Sequence, residues 1–138
     1  MSVDENILDE EKEEVRILLV CESAVVRNTI MGDLYFSLPF APEFVVAGSL
    51  NEAKNFLNGK AVVIYSVGNN FHNHYGDPYE FSAFVKDRFG NKVLIALSSD
   101  YSLKDKALDY GADDFVFQNH LLYPHHKNLK DSINNFYR

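Results

Sequence analysis

Five short apolar runs alternating with helical patterns predict an α/β fold: a doubly wound, parallel five-stranded sheet of order 2-1-3-4-5. Two observations carry this reading. Val93-Leu94-Ile95-Ala96-Leu97 and Ala61-Val62-Val63-Ile64-Tyr65 are apolar at every position, as strands buried on both faces must be. From Val93 to Phe117, strand, helix and strand follow one another in about 25 residues, the length of a βαβ unit. The polar ends of such strands lie at one edge of the sheet, where open α/β folds place their sites.

Taken in order, Val15-Arg16-Ile17-Leu18-Leu19-Val20 is the first strand and Cys21-Glu22-Ser23 the turn after it. A helix over Ala24–Leu38 carries Val26, Ile30, Leu34 and Leu38 on one face, and Pro39 and Pro42 close it. Phe44–Ala47 is the second strand. Ser49 and Glu52 form a capping box that opens a helix through Ala53, Phe56 and Leu57, which Gly59 ends. The third strand, Ala61–Tyr65, stops at Ser66. A polar, aromatic loop from Val67 to Pro78 leads to a helix over Tyr79–Phe89, with Phe81, Phe84, Val85 and Phe89 inward and Gly90 as its stop. After the fourth strand, Leu103, Ala107, Leu108 and Tyr110 have helical spacing, and Gly111 suits the left-handed residue that ends a helix. Phe115–Phe117 is the fifth strand, and Leu129, Ile133, Phe136 and Tyr137 line a last helix.

Composition narrows the function. At 138 residues the chain is expected to form one domain, residues 15–138, behind an acidic, solvated tail over 1–14. That tail holds Asp4, Glu5, Asp9, Glu10, Glu11, Glu13 and Glu14 against Lys12, and so accounts for most of the net charge of −7. No basic stripe remains that would neutralise phosphates, which disfavours nucleic-acid binding. No apolar run approaches membrane-spanning length, and the acidic start is unlike a secretory signal. The single cysteine, Cys21, excludes an internal disulfide and fits a reducing, cytoplasmic location.

Three motifs in this setting resemble the receiver domain of two-component response regulators, over residues 15–138. Ala107-Leu108 with Gly111-Ala112-Asp113-Asp114-Phe115 is similar to the family's segment from the fourth helix into the fifth strand. Arg27 stands at the spacing after strand one where receivers often carry arginine. Asp77-Pro78-Tyr79-Glu80-Phe81 resembles the family's entry to helix three. The resemblance implies a CheY-like, flavodoxin-like fold and a site of five groups at one sheet edge. Two acids after strand one hold Mg²⁺, an aspartate ending strand three accepts the phosphoryl group, a Ser/Thr ends strand four, and a lysine ends strand five.

Placed on that pattern, Cys21 stands for the first acid and Glu22 keeps the second. Ser66 stands at the phosphoacceptor position, Ser98 keeps the hydroxyl, Phe115 keeps the switch aromatic, and Gln118 replaces the lysine. A serine hydroxyl with no base beside it is a poor nucleophile. One acid supplies too little charge for Mg²⁺, so no cofactor is expected and metal binding should be weak or absent. The implied function is a pseudo-receiver: a non-enzymatic protein-interaction module in two-component or phosphorelay-type signalling or transcriptional regulation. Two alternatives are a receiver phosphorylated at an unorthodox residue and a flavodoxin-like cofactor-binding enzyme. For the latter, Cys21-Glu22-Ser23-Ala24 offers one hydroxyl, no glycine and a repelling carboxylate where a phosphate cradle is needed.

Simpler readings stand beside the chemical ones. Glu22 is either a metal ligand or a solvated, helix-capping acid, and Cys21 a redox sensor or a filler of the lost acid's place. His72, His74, His120, His125 and His126 invite a metal but lack a third ligand at fixed spacing. The resemblance places partner binding, a homodimer included, on the face of helix four, strand five and helix five, with Tyr101, Lys104 and Phe117 as contacts. The competing docking element is the 67–78 loop with Phe71 and Tyr75. Those rings either dock a partner or fold back over the acceptor position.

Overall fold

The structure, a computed structural model, describes residues 16–38, 42–68, 75–117 and 129–136. Its strands are β1 (Arg16–Val20), β2 (Glu43–Ala47), β3 (Val62–Ser66), β4 (Val93–Ser98) and β5 (Asp114–Phe117). They form one parallel sheet in the order β2-β1-β3-β4-β5. The helices among the described residues are α1 (Ala24–Ser37), α2 (Leu50–Ala53), α3 (Pro78–Arg88), α4 (Lys104–Asp109) and α5 (Leu129–Phe136). This is the expected flavodoxin-like architecture.

Each face of the sheet has its own core. Ile17, Leu19, Val62, Ile64, Ile95, Leu97 and Val116 project toward α1 and α5, against Ile30, Leu34, Leu38, Leu129 and Ile133. The alternate residues, among them Leu18, Val20, Val63, Tyr65, Leu94, Ala96 and Phe115, pack on Leu50, Ala53, Phe81, Val85 and Ala107 of α2, α3 and α4. Two buried faces explain why the central strands lack any polar alternation.

Side-chain caps open α1, α2 and α3. Ser23 Oγ accepts the Val26 amide at 3.3 Å to open α1. Ser49 Oγ accepts the Glu52 amide at 3.2 Å, while Glu52 Oε2 reaches back to the Gly48 amide at 3.4 Å, so the capping box closes one residue upstream. Asp77 Oδ1 accepts the Tyr79 amide at 2.9 Å, and Pro78 takes the first helical position, one residue before the sequence pattern places it. Leu38 is extended at the end of α1, as a residue before proline must be.

α3 ends where expected, just before Gly90, with the Phe89 cap amide donating to the Val85 carbonyl at 2.7 Å. At α4, which follows a 3₁₀ turn over Tyr101–Leu103, Ala107 is buried while Leu108 and Tyr110 are exposed. One helix needs correction: the Phe56 region tightens into a 3₁₀ turn over Lys54–Phe56, leaving Phe56 exposed and Leu57 buried. Gly111 behaves as expected, with φ at 118°. A Cβ there would lie 3.0 Å from Lys86 Cγ, so the position demands glycine twice over.

Candidate functional site

The carboxyl ends of β1, β3 and β4 converge at one edge, and register decides which side chains share it. Val20 pairs with Tyr65, and the Cys21 amide extends the β1–β2 ladder by donating to the Ala47 carbonyl at 3.1 Å, so Cys21 lies beside Ser66. Ser66 in turn pairs with Leu97. Side chains alternate between faces, so Leu97, not Ser98, stands next to Ser66 on its own side of the sheet. Ser98 pairs one step further on with Phe117. Its buried Oγ is engaged locally, accepting the Asp100 amide at 3.0 Å. Asp100 then caps the 3₁₀ turn, accepting Ser102 N at 3.0 Å and Ser102 Oγ at 2.6 Å.

Cys21 and Ser66 are each only 4 % exposed, while Glu22 is half-buried. Arg27, from the first turns of α1, donates Nη1 to the Cys21 carbonyl at 2.9 Å. The arginine thus binds the backbone of the β1–α1 turn. Ser23, the turn's one hydroxyl, is used as the α1 cap.

Tyr75 takes the second of the two courses open to the loop rings, folding back over the end of β3. Its ring is completely buried, and its hydroxyl donates to the Ser66 carbonyl at 2.7 Å. Burial pushes the phenol well above its ordinary range, and the nearby Cys21 adds to the shift, while the bond to Ser66 opposes it. Of the two readings, fold-back therefore holds for Tyr75, a core residue against Ser66, and its place among the partner contacts is withdrawn. The signal that could have identified it is the dipeptide Tyr75-Gly76 just before the Asp77-Pro78 helix start. Gly76 has φ at 100°, turning the chain so that the preceding ring points inward. Phe71, His72 and His74 of the same loop, Gln118, and His120, His125 and His126 lie outside the described residues, as does the 1–14 tail.

The donor set does not fit a hard dication. Among the described residues, Glu22 is the one carboxylate of the β1–α1 turn, beside a buried thiol, a buried hydroxyl and a neutral phenol. Among the described residues, no three His, Cys, Asp or Glu side chains form a cluster able to hold a metal.

On the neighbouring face, Phe115 is buried and Tyr101 is 46 % exposed. The Tyr101 ring meets Phe115 edge-on at 5.9 Å and Phe117 at 6.0 Å. Lys104 Nζ lies 5.5 Å over the Tyr101 ring and 3.4 Å from its hydroxyl. Tyr101, Lys104 and the half-buried Phe117 are thus one contiguous patch. Behind it, the Gly111–Phe115 motif has a structural task. Asp113 accepts the Leu94 amide at 2.8 Å and Lys86 Nζ at 2.6 and 2.8 Å, tying the α4–β5 turn to β4 and α3.

No family model and no curated protein matches this sequence. Solved structures do match. The response regulator TrrA from Thermotoga maritima, in complex with Mg²⁺-BeF, is 17% identical, with 88% of this chain and 94% of that one covered at a TM-score of 0.65. HP1043, an orphan response regulator of H. pylori, is 17% identical over 88% and 92% at a TM-score of 0.63. The chemotaxis response regulator CheY4 of Vibrio cholerae is 19% identical over 80% and 94% at 0.62. These likenesses establish that the chain has the fold of response-regulator receivers.

Proposed function

We propose that this chain is a pseudo-receiver, a cytoplasmic protein-interaction module of two-component-type signalling or transcriptional regulation that works without phosphoryl transfer. One observation carries the reading: the acceptor position is a buried serine whose carbonyl is already bonded by Tyr75, with Cys21 and Leu97 as its lateral neighbours. A buried hydroxyl flanked by a thiol and a leucine has neither a base to activate it nor charge to draw in a metal-bound phosphodonor. The receiver scaffold nonetheless keeps its aromatic patch at Tyr101, Lys104 and Phe117. Among the described residues, no helix is long and apolar enough to cross a membrane.

Incubation with acetyl phosphate and Mg²⁺ is expected to leave the intact mass unchanged. Millimolar Mg²⁺ should leave the amide resonances of Cys21, Glu22 and Ser66 unmoved. An added phosphoryl group that is lost on mild alkali would overturn this, since it would reveal an acyl phosphate. One stable to alkali and mapping to Ser66 would instead favour phosphorylation at an unorthodox residue.

Partner docking is assigned to the Tyr101 patch, where an exposed aromatic sits beside a flexible cation on a rigid support. Truncating Tyr101 and Phe117 together to alanine is expected to weaken partner capture at least tenfold, with circular dichroism unchanged. A Phe71→Ala variant that abolishes binding while the Tyr101/Phe117 pair does not would transfer docking to the 67–78 loop.

A further inference from the structure

Tyr75 does more than close the acceptor edge. Its ring belongs to one continuous buried cluster with Tyr65, Phe81, Ala96, Ala107 and Phe115. Tyr65 and Phe81 meet within it at a ring separation of 5.7 Å. Phe115, in the same cluster, is one of the two rings on which the exposed Tyr101 rests. A single packed body therefore runs from the Ser66 carbonyl to the surface at Tyr101. The position of Tyr75 is held from both sides, by its hydrogen bond to Ser66 and by the Gly76 turn against Leu50 that leads into the Asp77 cap.

We propose that Tyr75 is a built-in occupant of the acceptor edge, a phenol that holds the Tyr101 surface in one arrangement and releases it when displaced. Packed interiors respond to a lost side chain by shifting between discrete arrangements, because their rings have no free volume through which to drift. Emptying the Tyr75 site leaves a void in the cluster that supports Phe115, and Tyr101 is the first exposed ring to register the repacking. This deepens the pseudo-receiver reading and rests on it only for the meaning of the Tyr101 surface. The coupling itself is a property of the fold.

The test is fluorine NMR of the full chain labelled with 3-fluorotyrosine, the Tyr101 signal being assigned with Tyr101→Phe. Tyr75→Ala is expected to shift and broaden that signal. Tyr75→Phe, which keeps the ring and loses the hydroxyl, should move it less and in the same direction. Leu34→Ala, in the opposite core, is the control for destabilisation alone and should leave Tyr101 in place. Added p-cresol, which can refill the void and donate to the Ser66 carbonyl, should return the Tyr75→Ala signal toward that of the parent. If Tyr75→Ala does not fold, Tyr75→Leu takes its place in the series. An unmoved Tyr101 signal in folded Tyr75→Ala or Tyr75→Leu overturns the proposal, as does an equal shift in Leu34→Ala. Failure of the docking reading looks different: Tyr101→Ala would then leave partner binding intact while the fluorine shifts persist.

Discussion

Raising the pH from about 10 toward 12 is expected to unfold this domain cooperatively, with Tyr65 and Tyr75 ionising only as the fold is lost. Both phenols are buried, and burial raises each well above the ordinary value of 10.0; for Tyr75 the neighbouring Cys21 adds to it. Tyr65 lies beside Ser82, but its hydroxyl makes no hydrogen bond of good geometry among the described residues. The sign follows from proton counting. Above pH 10 the unfolded chain gives up both phenolic protons while the native state retains them, so stability is full below that pH and falls as pH rises. Two such groups give a slope of about 2.7 kcal/mol per pH unit, so two units remove about 5 kcal/mol, a large part of a typical domain's margin. Tyr79, also raised by burial, acts in the same sense, whereas Lys92, whose ammonium is disfavoured by burial and by Lys60, opposes it. The check is to follow phenolate absorbance and circular dichroism together through the titration. A smooth absorbance rise for every tyrosine with the helical signal intact would refute the claim. The double variant Tyr65→Phe/Tyr75→Phe should flatten the alkaline decline.

Replacing Asp113 by alanine should destabilise the domain by about 2 kcal/mol, lowering Tm by about 8 °C. Asp113 sits in the motif that marks the resemblance to receivers, yet its bonds are structural. One carboxylate accepts the β4 amide of Leu94 and Lys86 of α3, while its own amide donates to the Leu94 carbonyl at 2.8 Å. Lys86 also donates to the Lys92 carbonyl at 3.2 Å, so the variant loosens three elements at once. The ion pair is partly exposed, with side-chain accessibilities of 28% and 29% for Lys86 and Asp113, which keeps its own share small. Most of the loss comes from the Leu94 amide, which no longer has its acceptor. Asp113→Asn retains an acceptor oxygen and should recover about half. Equal losses in the two variants, measured by thermal and urea unfolding, would show that the ion pair and not the amide bond dominates.

Local patterns carried the architecture well. The apolar runs located all five strands to within a residue or two, and the Ser49–Glu52 and Asp77–Pro78 signals placed two helix starts, because capping chemistry acts over three or four residues. The helix read through Phe56 departs from this: the chain tightens into a 3₁₀ turn over Lys54–Phe56, which leaves Phe56 exposed and Leu57 buried.

By itself the sequence determined the sheet order and the two-sided burial of its strands, since side-chain period is a local property of a chain. Only the tertiary structure decided who stands next to whom. Ser66 faces Leu97 instead of Ser98 because strand register is set by packing across the sheet, and a slip of one residue turns a side chain to the other face. Tyr75 was decided in the same way. The sequence left its ring either docking a partner or folding back over the end of β3, and the choice fell to the Gly76 turn and the Ser66 carbonyl, which meet only in the folded chain.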